Sequence, residues 1–369
     1  AQGSKPLARR PPAFRWASSP SVGWASSQAE MPGTHARASM CAAVALRAVV
    51  RPWLCRSGCP PSARQRRRLL GGLRGASTGA AAQVAPGHVE AYARDGVVHL
   101  PGVFDAAGLR ALREAFRIAM EHPGVHAEYI GQGVTWQNLF AAGASERAVE
   151  MFQDQLFFEE AQERAPGWAE IIRASPAAEI IAQLMRSTTA AYFYAHLILK
   201  RGGASQAVPW HQDLPYWKVE GRQIGSVWIA LDDMPAAAGV RYLRGSHRWG
   251  LFRPRHFVDA SPYDGRDELP LLPDVDAMLA SEEAEALVFD VAAGDVVCFD
   301  ARTVHGSPGN PEVEGRDHRR VAFRFCGDDA RYCERPGESA IPTPEVEAVH
   351  GLRHGDAMAC RAFPQVWPL

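Results

Sequence analysis

The second half of the chain contains a series of short apolar segments, each bounded by loops that carry glycine or proline. Segments of five to nine residues with these boundaries are typical of β-strands. They span 191–199, 226–232, 239–243, 295–300 and 320–326. Because no regular alternation of strands with helices accompanies them, a parallel doubly wound sheet is disfavoured. The pattern predicts an antiparallel sandwich or jelly roll.

Helical periodicity is concentrated in the region before these strands. Apolar residues recur at three- or four-residue spacing in 105–121, where Asp105 is a candidate N-cap, and 88–94 also predicts a helix. The Ser-Pro pair at 175–176 is suited to open another helix, and a short strand is expected at 97–100. We therefore expect an α+β protein with a double-stranded β-helix (jelly-roll) core and N-terminal and flanking helices.

The near-neutral overall charge conceals two regions of opposite charge. The first 88 residues contain twelve arginines, one lysine and one acidic residue, whereas the remainder has 27 basic and 40 acidic residues. Arginines among apolar residues with few acids are typical of a presequence. We expect 1–87 to be a disordered transit-peptide-like arm, directed to the mitochondrion or alternatively a plastid; a basic linker of a cytoplasmic protein is the other interpretation. Residues 88–369 are expected to form one domain.

The composition also excludes several classes of protein. The 369-residue chain is 47% apolar and can bury a full core, but it contains no run of eighteen uncharged apolar residues that would predict a membrane span. The acidic globular region lacks the concentrated positive charge that nucleic acid binding requires. Seven cysteines without paired spacing predict reduced thiols. We expect a monomer that acts on a small molecule.

Two separated segments carry residues suited to metal chemistry. His211 and Asp213 are two residues apart, so on an extended chain both side chains point to the same face. His305 ends another apolar strand, 92 residues after Asp213, and closure of the sheet can bring it to the first pair. Two histidines and one carboxylate would form a facial triad, which leaves one side of Fe(II) open for an oxidant and a co-substrate.

A third segment, the strand-like run 319–325, begins with Arg319 and Arg320. An arginine on the inward face of a strand can hold a carboxylate by two parallel charged hydrogen bonds. Because neighbouring residues on a strand point to opposite faces, only one of the two can face a common site. The sequence does not decide which of the two arginines faces the site.

The order of these motifs resembles the phytanoyl-CoA dioxygenase family of Fe(II)- and 2-oxoglutarate-dependent oxygenases. The resemblance covers about residues 88–369 and rests on three ordered motifs. These motifs are His211-x-Asp213, then His305-Gly306-Ser307 with Asn310, then the distal arginine pair, and flanking segments similar to the family are 175–179, Trp228 and 245–247.

The resemblance implies an oxidative reaction. His211, Asp213 and His305 match the family's iron ligands, so Fe(II) with the co-substrates 2-oxoglutarate and O2 is implied. The implied products are succinate, CO2 and a substrate hydroxylated at a C–H bond. A carboxylate at Asp213 favours hydroxylation, since halogenating relatives require Ala or Gly there to open a site for halide.

The resemblance also implies a 2-oxoglutarate pocket. Arg319 matches the arginine that binds the distal carboxylate, but the loop 311–318 is longer than usual in the family, so Arg320 is a rival. The other residues expected to line this pocket are Ser307, Trp228 and His196. Candidates for the walls of the substrate entrance are Trp210, Tyr216 and Trp217.

Two other functions remain open at this point. One is a non-catalytic jelly-roll module that binds a ligand, against which the intact set of histidines, aspartate and arginines argues. The other is a cupin-like metal-dependent isomerase or hydrolase, which would leave the arginine strand unexplained and lacks a dedicated general base. Dependence of activity on both O2 and 2-oxoglutarate separates the three. The sequence does not identify the primary substrate.

Overall fold

The computed structural model describes residues 84–121, 124, 127–130, 151–165, 167–204, 207–257, 259–309, 316–337 and 351–369. The predicted arm, apart from its last residues, lies outside these ranges, as do Asn310 and most of the loop 311–318. The first described helix begins at Pro86, two residues before the expected start of the domain. The transit-peptide interpretation therefore stays a prediction.

The three predicted helices are present at the expected positions, but one of the two predicted N-caps is not formed. Asp105 accepts hydrogen bonds from the backbone amides of the first helical turn, as expected for an N-cap. Ser175 does not cap the helix that follows it, because its hydroxyl donates to the carbonyl of Ile172 in the preceding helix. The described helices are α1 Pro86–Asp95, α2 Ala106–Glu121, α3 Phe158–Arg164, α4 Trp168–Ala174, α5 Ala177–Met185 and α6 Val275–Ala280, with 3-10 turns at Leu214–Tyr216, Ala236–Ala238 and Ser246–Arg248.

All five predicted strand segments contain strands, with ends that differ by at most two residues from the expectation. The polar stretch 253–285 between β8 and β9 contains α6. The strands are β1 Val97–Leu100, β2 Glu128–Ile130, β3 Met151–Leu156, β4 Ala190–Lys200, β5 Val208–His211, β6 Val219–Glu220, β7 Ile224–Ala230, β8 Arg241–Leu243, β9 Ala286–Leu287, β10 Val296–Asp300, β11 His305–Ser307, β12 His318–Cys326, β13 Arg331–Tyr332 and β14 Gln365–Trp367.

The strands form two main antiparallel sheets. The large sheet has the order β1-β10-β7-β12-β4-β3-β2, with β14 also paired to β4. The small sheet has the order β5-β11-β8-β9, and β13 pairs with β6 separately. The chain is therefore a mixed helical and antiparallel-sheet protein, as expected. Within the described part of the chain, no helix has the length and hydropathy needed to cross a bilayer.

The large sheet is buried on both of its faces. Its outer face packs with α1, α2, α4 and α5 in the main hydrophobic core. The residues of the central strand β12 that join this core are Val321, Phe323 and Phe325. Because side chains alternate along a strand, the residues between them point toward the small sheet. This second face, rather than solvent, receives the side chains of Arg320 and Arg324.

Candidate active site

The three predicted metal ligands meet at the edge of the small sheet. His211 on β5 and His305 on β11 are directly opposed across an antiparallel pair, with ring centroids 4.2 Å apart. Asp213 follows β5 at the start of a 3-10 turn, and its Oδ1 lies 3.6 Å from His211 Nε2 and 3.8 Å from His305 Nε2. All three side chains are buried, and their ligand atoms lie within 4.8 Å of one another.

Backbone carbonyls fix the orientation of both imidazoles. His211 Nδ1 lies 2.8 Å from the carbonyl oxygen of Pro209, and His305 Nδ1 lies 2.9 Å from that of Thr303. A carbonyl only accepts, so each Nδ1 carries the proton and donates it, and each Nε2 presents a lone pair. Metal-binding histidines are commonly oriented by this kind of hydrogen bond.

The protonation states of the triad also suit a metal. Burial lowers the pKa of His305 to about 3, so the ring is neutral at pH 7. Burial alone would raise the pKa of Asp213, but the Arg324 guanidinium and the nearby His305 hold it well below its usual range. Neutral imidazole and ionised carboxylate are the forms that coordinate metals.

Gln212, between the two ligands of the first motif, connects the segments that carry them. Its side-chain Nε2 donates to the carbonyls of Arg302, at 2.8 Å, and Gly250, at 3.1 Å. Its Oε1 accepts from the backbone amide of Phe252 at 3.0 Å. Gln212 thus holds the turn that leads to His305 against the strand that carries His211.

A cavity of about 870 Å³, open toward solvent, extends from the triad between the two sheets. The predicted residues that line it are His196, Ser307, Trp228, Arg320, Tyr216 and Trp217, in addition to the triad. Trp210 does not line the cavity, because its indole packs in a separate cluster and donates to Asp276 at 3.0 Å.

Arg320 is the arginine of the predicted pair that faces the cavity. Arg320 is 3% exposed, and its Nε has no hydrogen-bond partner. Its Nη1 forms one long hydrogen bond, to the sulfur of Met234 at 3.8 Å. Burial lowers the pKa of Arg320 to about 10, and no acidic side chain of the described residues forms an ion pair with it. A buried, unpaired guanidinium is suited to bind an anion.

Arg319 points to the other face of β12, contrary to the role that the resemblance implied for it. Its Nε and Nη2 donate to the two carboxylate oxygens of Asp232 at 2.9 and 2.7 Å, and its backbone amide donates to the same group at 2.9 Å. The side chain is 37% exposed and does not line the cavity. Because side chains alternate along a strand, Arg319 points away from the cavity when Arg320 points into it.

A third arginine, Arg324, lies in the cavity and was missed by the sequence analysis. It is 5% exposed, and its Nη2 is 3.2 Å from Asp213 Oδ2. Its Nε and Nη1 are buried without a hydrogen-bond partner. One signal was available: residues four apart on a strand share a face, so Arg324 accompanies Arg320.

Known proteins similar to this chain agree with the geometry. The sequence profile of the phytanoyl-CoA dioxygenase family matches residues 92–313. An ectoine dioxygenase of Stutzerimonas stutzeri (strain A1501) is 25% identical over 280 residues, which are 70% of this chain and 84% of that protein.

Solved structures show the same arrangement of helices and sheets. The non-haem α-ketoglutarate-dependent carbocyclase SnoK of nogalamycin biosynthesis matches with a TM-score of 0.55 and 20% identity, over 77% of this chain and 97% of its own. EctD of S. alaskensis, solved with 2-oxoglutarate and 5-hydroxyectoine, matches with a TM-score of 0.53 and 18% identity, over 79% and 91%. At these identities the likeness concerns the fold.

Proposed function

Because this chain belongs to the phytanoyl-CoA dioxygenase family, it is a non-haem iron, 2-oxoglutarate-dependent dioxygenase, and we propose that it hydroxylates a C–H bond of a small molecule. One observation carries the proposal: a single cavity contains both a buried His-Asp-His triad and a buried arginine without a counter-ion. The triad suits a metal and the arginine suits the carboxylate of a co-substrate. Neither feature would be expected of a fold that only binds a neutral ligand.

The triad fits an iron ion by the chemistry of its donors. His211 and His305 present Nε2 lone pairs, and Asp213 presents an ionised Oδ1 beside them. Two imidazoles and one carboxylate are the ligand set of non-haem Fe(II) oxygenases. Bound there with 2-oxoglutarate and O2, iron supplies oxidative decarboxylation to succinate and CO2 and the oxidation of a substrate C–H bond.

The residues of the large sheet hold the co-substrate. Arg320 donates to the distal carboxylate of 2-oxoglutarate, whose charge compensates the buried guanidinium. His196 stays neutral beside it, since burial and the nearby Arg324 lower the pKa of this histidine to about 3. Its Nε2 lies 3.1 Å from Gln153 Oε1, which orients the ring. Trp228 and Ser307 also line this cavity.

Other features belong to the same proposal. The strands that surround the cavity form the double-stranded β-helix, or jelly roll, expected from the sequence, with the metal ligands on the small sheet and Arg320 on the large one. Residues 88–369 form this domain, and the protein acts as a monomer. The preceding basic arm directs it to the mitochondrion.

The proposal is tested by titration of the full chain with Fe(II) and then 2-oxoglutarate without oxygen. We expect a weak visible charge-transfer band when both are present, and succinate release once O2 and a substrate are admitted. A binding module or a cupin-like isomerase or hydrolase would show neither. Iron binding without the band would contradict the dioxygenase assignment.

A further inference from the structure

Arg324 is a second buried cation of the cavity. The proposed binding of iron and of the distal carboxylate of 2-oxoglutarate gives its guanidinium no new hydrogen-bond acceptor. Its contact with Asp213 involves Nη2 alone and is an ion pair that lacks the alignment of a hydrogen bond. Its Nε and Nη1 are shielded from solvent and form no well-aligned hydrogen bond, although the side chain of Tyr194 is a close polar neighbour of the guanidinium. Buried donors in folded proteins are nearly always satisfied, so these atoms indicate a missing acceptor.

Arg324 and Arg320 have different neighbours in the cavity, Asp213 and Met234 respectively. They lie four residues apart on one strand, which separates their backbones by about 13 Å at the usual rise per residue. Both side chains line the cavity, Arg324 at the Asp213 end and Arg320 beside Met234. The strand therefore presents two positions for anions, and the distal carboxylate of 2-oxoglutarate is assigned to the one at Arg320.

The charges of the cavity favour a ligand with one negative charge. Among the described lining residues, Asp213 is the one acidic side chain, against Arg320 and Arg324. Fe(II) and 2-oxoglutarate carry opposite charges of equal size, so their binding leaves one positive charge in excess. A monoanion would neutralise it, whereas a phosphate dianion would overcompensate in a site of low dielectric.

Aromatic rings shape the position next to Arg324. Its guanidinium carbon lies 5.5 Å from the ring centroids of Trp217 and Phe299 and 6.0 Å from that of Tyr194. These rings confine the guanidinium and exclude water around it. A carboxylate matches the planar, two-pronged geometry of the arginine donors.

We propose that Arg324 binds a carboxylate of the primary substrate, and hence that the substrates are small monocarboxylic acids. This inference rests on the proposed function, because it takes the triad as the iron site and Arg320 as the 2-oxoglutarate site. The substrate carboxylate accepts from the free Nε or Nη1 of Arg324, while Asp213 remains on Nη2. The remainder of the substrate then lies beside the triad.

The test uses butyrate as a probe and butyramide as its neutral counterpart. Both are titrated into the full chain that holds Fe(II) and saturating 2-oxoglutarate under argon, and binding is followed by the charge-transfer band and by tryptophan fluorescence. We expect wild type to bind butyrate about tenfold or more tightly than butyramide, as a charge-assisted hydrogen bond provides. Equal affinities, or butyrate that competes with 2-oxoglutarate, would overturn the proposal.

Variants separate substrate binding from a merely structural role. Arg324→Gln should abolish the preference for butyrate, and Arg324→Lys, which keeps the charge, should retain part of it. Arg319→Gln, on the same strand but outside the cavity, should leave it unchanged. If Arg324 only supported Asp213, Arg324→Gln would weaken iron binding and leave the butyrate preference intact, which would refute the proposal. Absence of the band in wild type would instead refute the proposed function itself.

Discussion

Strand β12 contributes the arginine to two aspartate–arginine pairs, one on each of its faces. The two pairs differ in how many of their hydrogen-bonding atoms have partners. On the outer face, Arg319 donates to both oxygens of Asp232 through two guanidinium hydrogen bonds and one from its backbone amide. On the inner face, Arg324 contacts Asp213 through one nitrogen at 3.2 Å. The outer pair is partly exposed, and the inner pair is buried.

This difference identifies the pair that can still bind a ligand, because only the inner pair has unused buried hydrogen-bond donors. A satisfied pair near the surface contributes about 0–1 kcal/mol to stability and binds nothing further. A buried pair with unused donors is unfavourable unless something completes it. At the inner pair, a metal at Asp213 Oδ1 and an anion at the free nitrogens of Arg324 would complete it. Incomplete pairing inside a cavity is thus the physical mark of the site.

The largest difference is expected between the Asp213→Ala and Asp232→Ala variants. Asp213→Ala removes the only carboxylate of the triad, so iron binding and 2-oxoglutarate-dependent succinate production should fall to the background of metal-free protein. Asp232→Ala should leave both nearly unchanged. The measurement is succinate release together with the iron content of the purified proteins. Wild-type turnover in the Asp213 variant would show that the metal lies elsewhere.

The two neighbouring arginines provide the next comparison. Arg320→Gln removes the buried charge proposed to bind 2-oxoglutarate, and the KM for 2-oxoglutarate should rise about 100-fold, the scale of a lost charge-assisted, two-pronged contact. Arg319→Gln breaks only the outer pair and should change this KM less than about twofold. Steady-state kinetics at varied 2-oxoglutarate checks both. A larger effect for Arg319 than for Arg320 would invert the assignment of strand faces.

A smaller effect is expected at Gln212, which positions the ligands without touching the metal. Gln212→Ala removes the links to Arg302, Gly250 and Phe252, and iron affinity should fall about 10–100-fold, as for other groups that orient metal ligands. Gln183→Ala, which loses a hydrogen bond to Glu179 on α5, is the matched control and should not alter iron affinity. Competition with a metal chelator measures both. Unaltered affinity in the Gln212 variant would show that the backbone holds the ligands unaided.

The smallest effect concerns the pH dependence of stability. The folded-state pKa of His196, about 3, lies below the ordinary value of 6.5, so the unfolded chain binds the extra proton first as the pH falls. His196 therefore lowers the free energy of unfolding between pH 6.5 and about 3, with a slope of at most about 1.4 kcal/mol per pH unit. His196→Gln should make the urea midpoint of the metal-free protein less sensitive to acid.

The control for this experiment is Gln183→Ala, which removes no titratable group and should leave the pH dependence unchanged. A His196 variant as sensitive to acid as wild type would mean that the ring takes up its proton as readily in the folded protein as in the unfolded chain. In acid it would then carry positive charge beside Arg320 and Arg324, and the charge balance of the cavity would change.

Much of the metal site was predictable because its residues are close in sequence or follow an apolar strand, although His305 begins β11 and does not end the preceding strand as expected. The spacing of His211 and Asp213 predicts that the two ligands lie together, and they do, although Asp213 follows β5 at the start of a 3-10 turn and is not in an extended chain. The apolar run before His305 identifies the strand that precedes it. Nothing in the local sequence predicts the link through Gln212, since its partners Gly250 and Arg302 are 38 and 90 residues away. Contacts at such separation depend on how the sheets close.

The arginine strand was harder to interpret for a physical reason. Alternation establishes that Arg320 and Arg324 share one face and that Val321, Phe323 and Phe325 share the other. A sheet with one face in solvent would place the arginines in water, as in most antiparallel proteins. Here both faces of β12 are buried, one against helices and the other against the cavity.

By itself, the sequence determined the order of helices and strands, the metal-ligand motif and the pairing of residues on each strand face. Three features followed only from the packing of distant segments: the face of β12 with Arg320 and Arg324 lines a cavity, Arg319 lies outside it, and Arg324 contacts Asp213. The reason is that side-chain alternation is a local property of an extended chain, whereas the surroundings of each face depend on which distant segments pack against it.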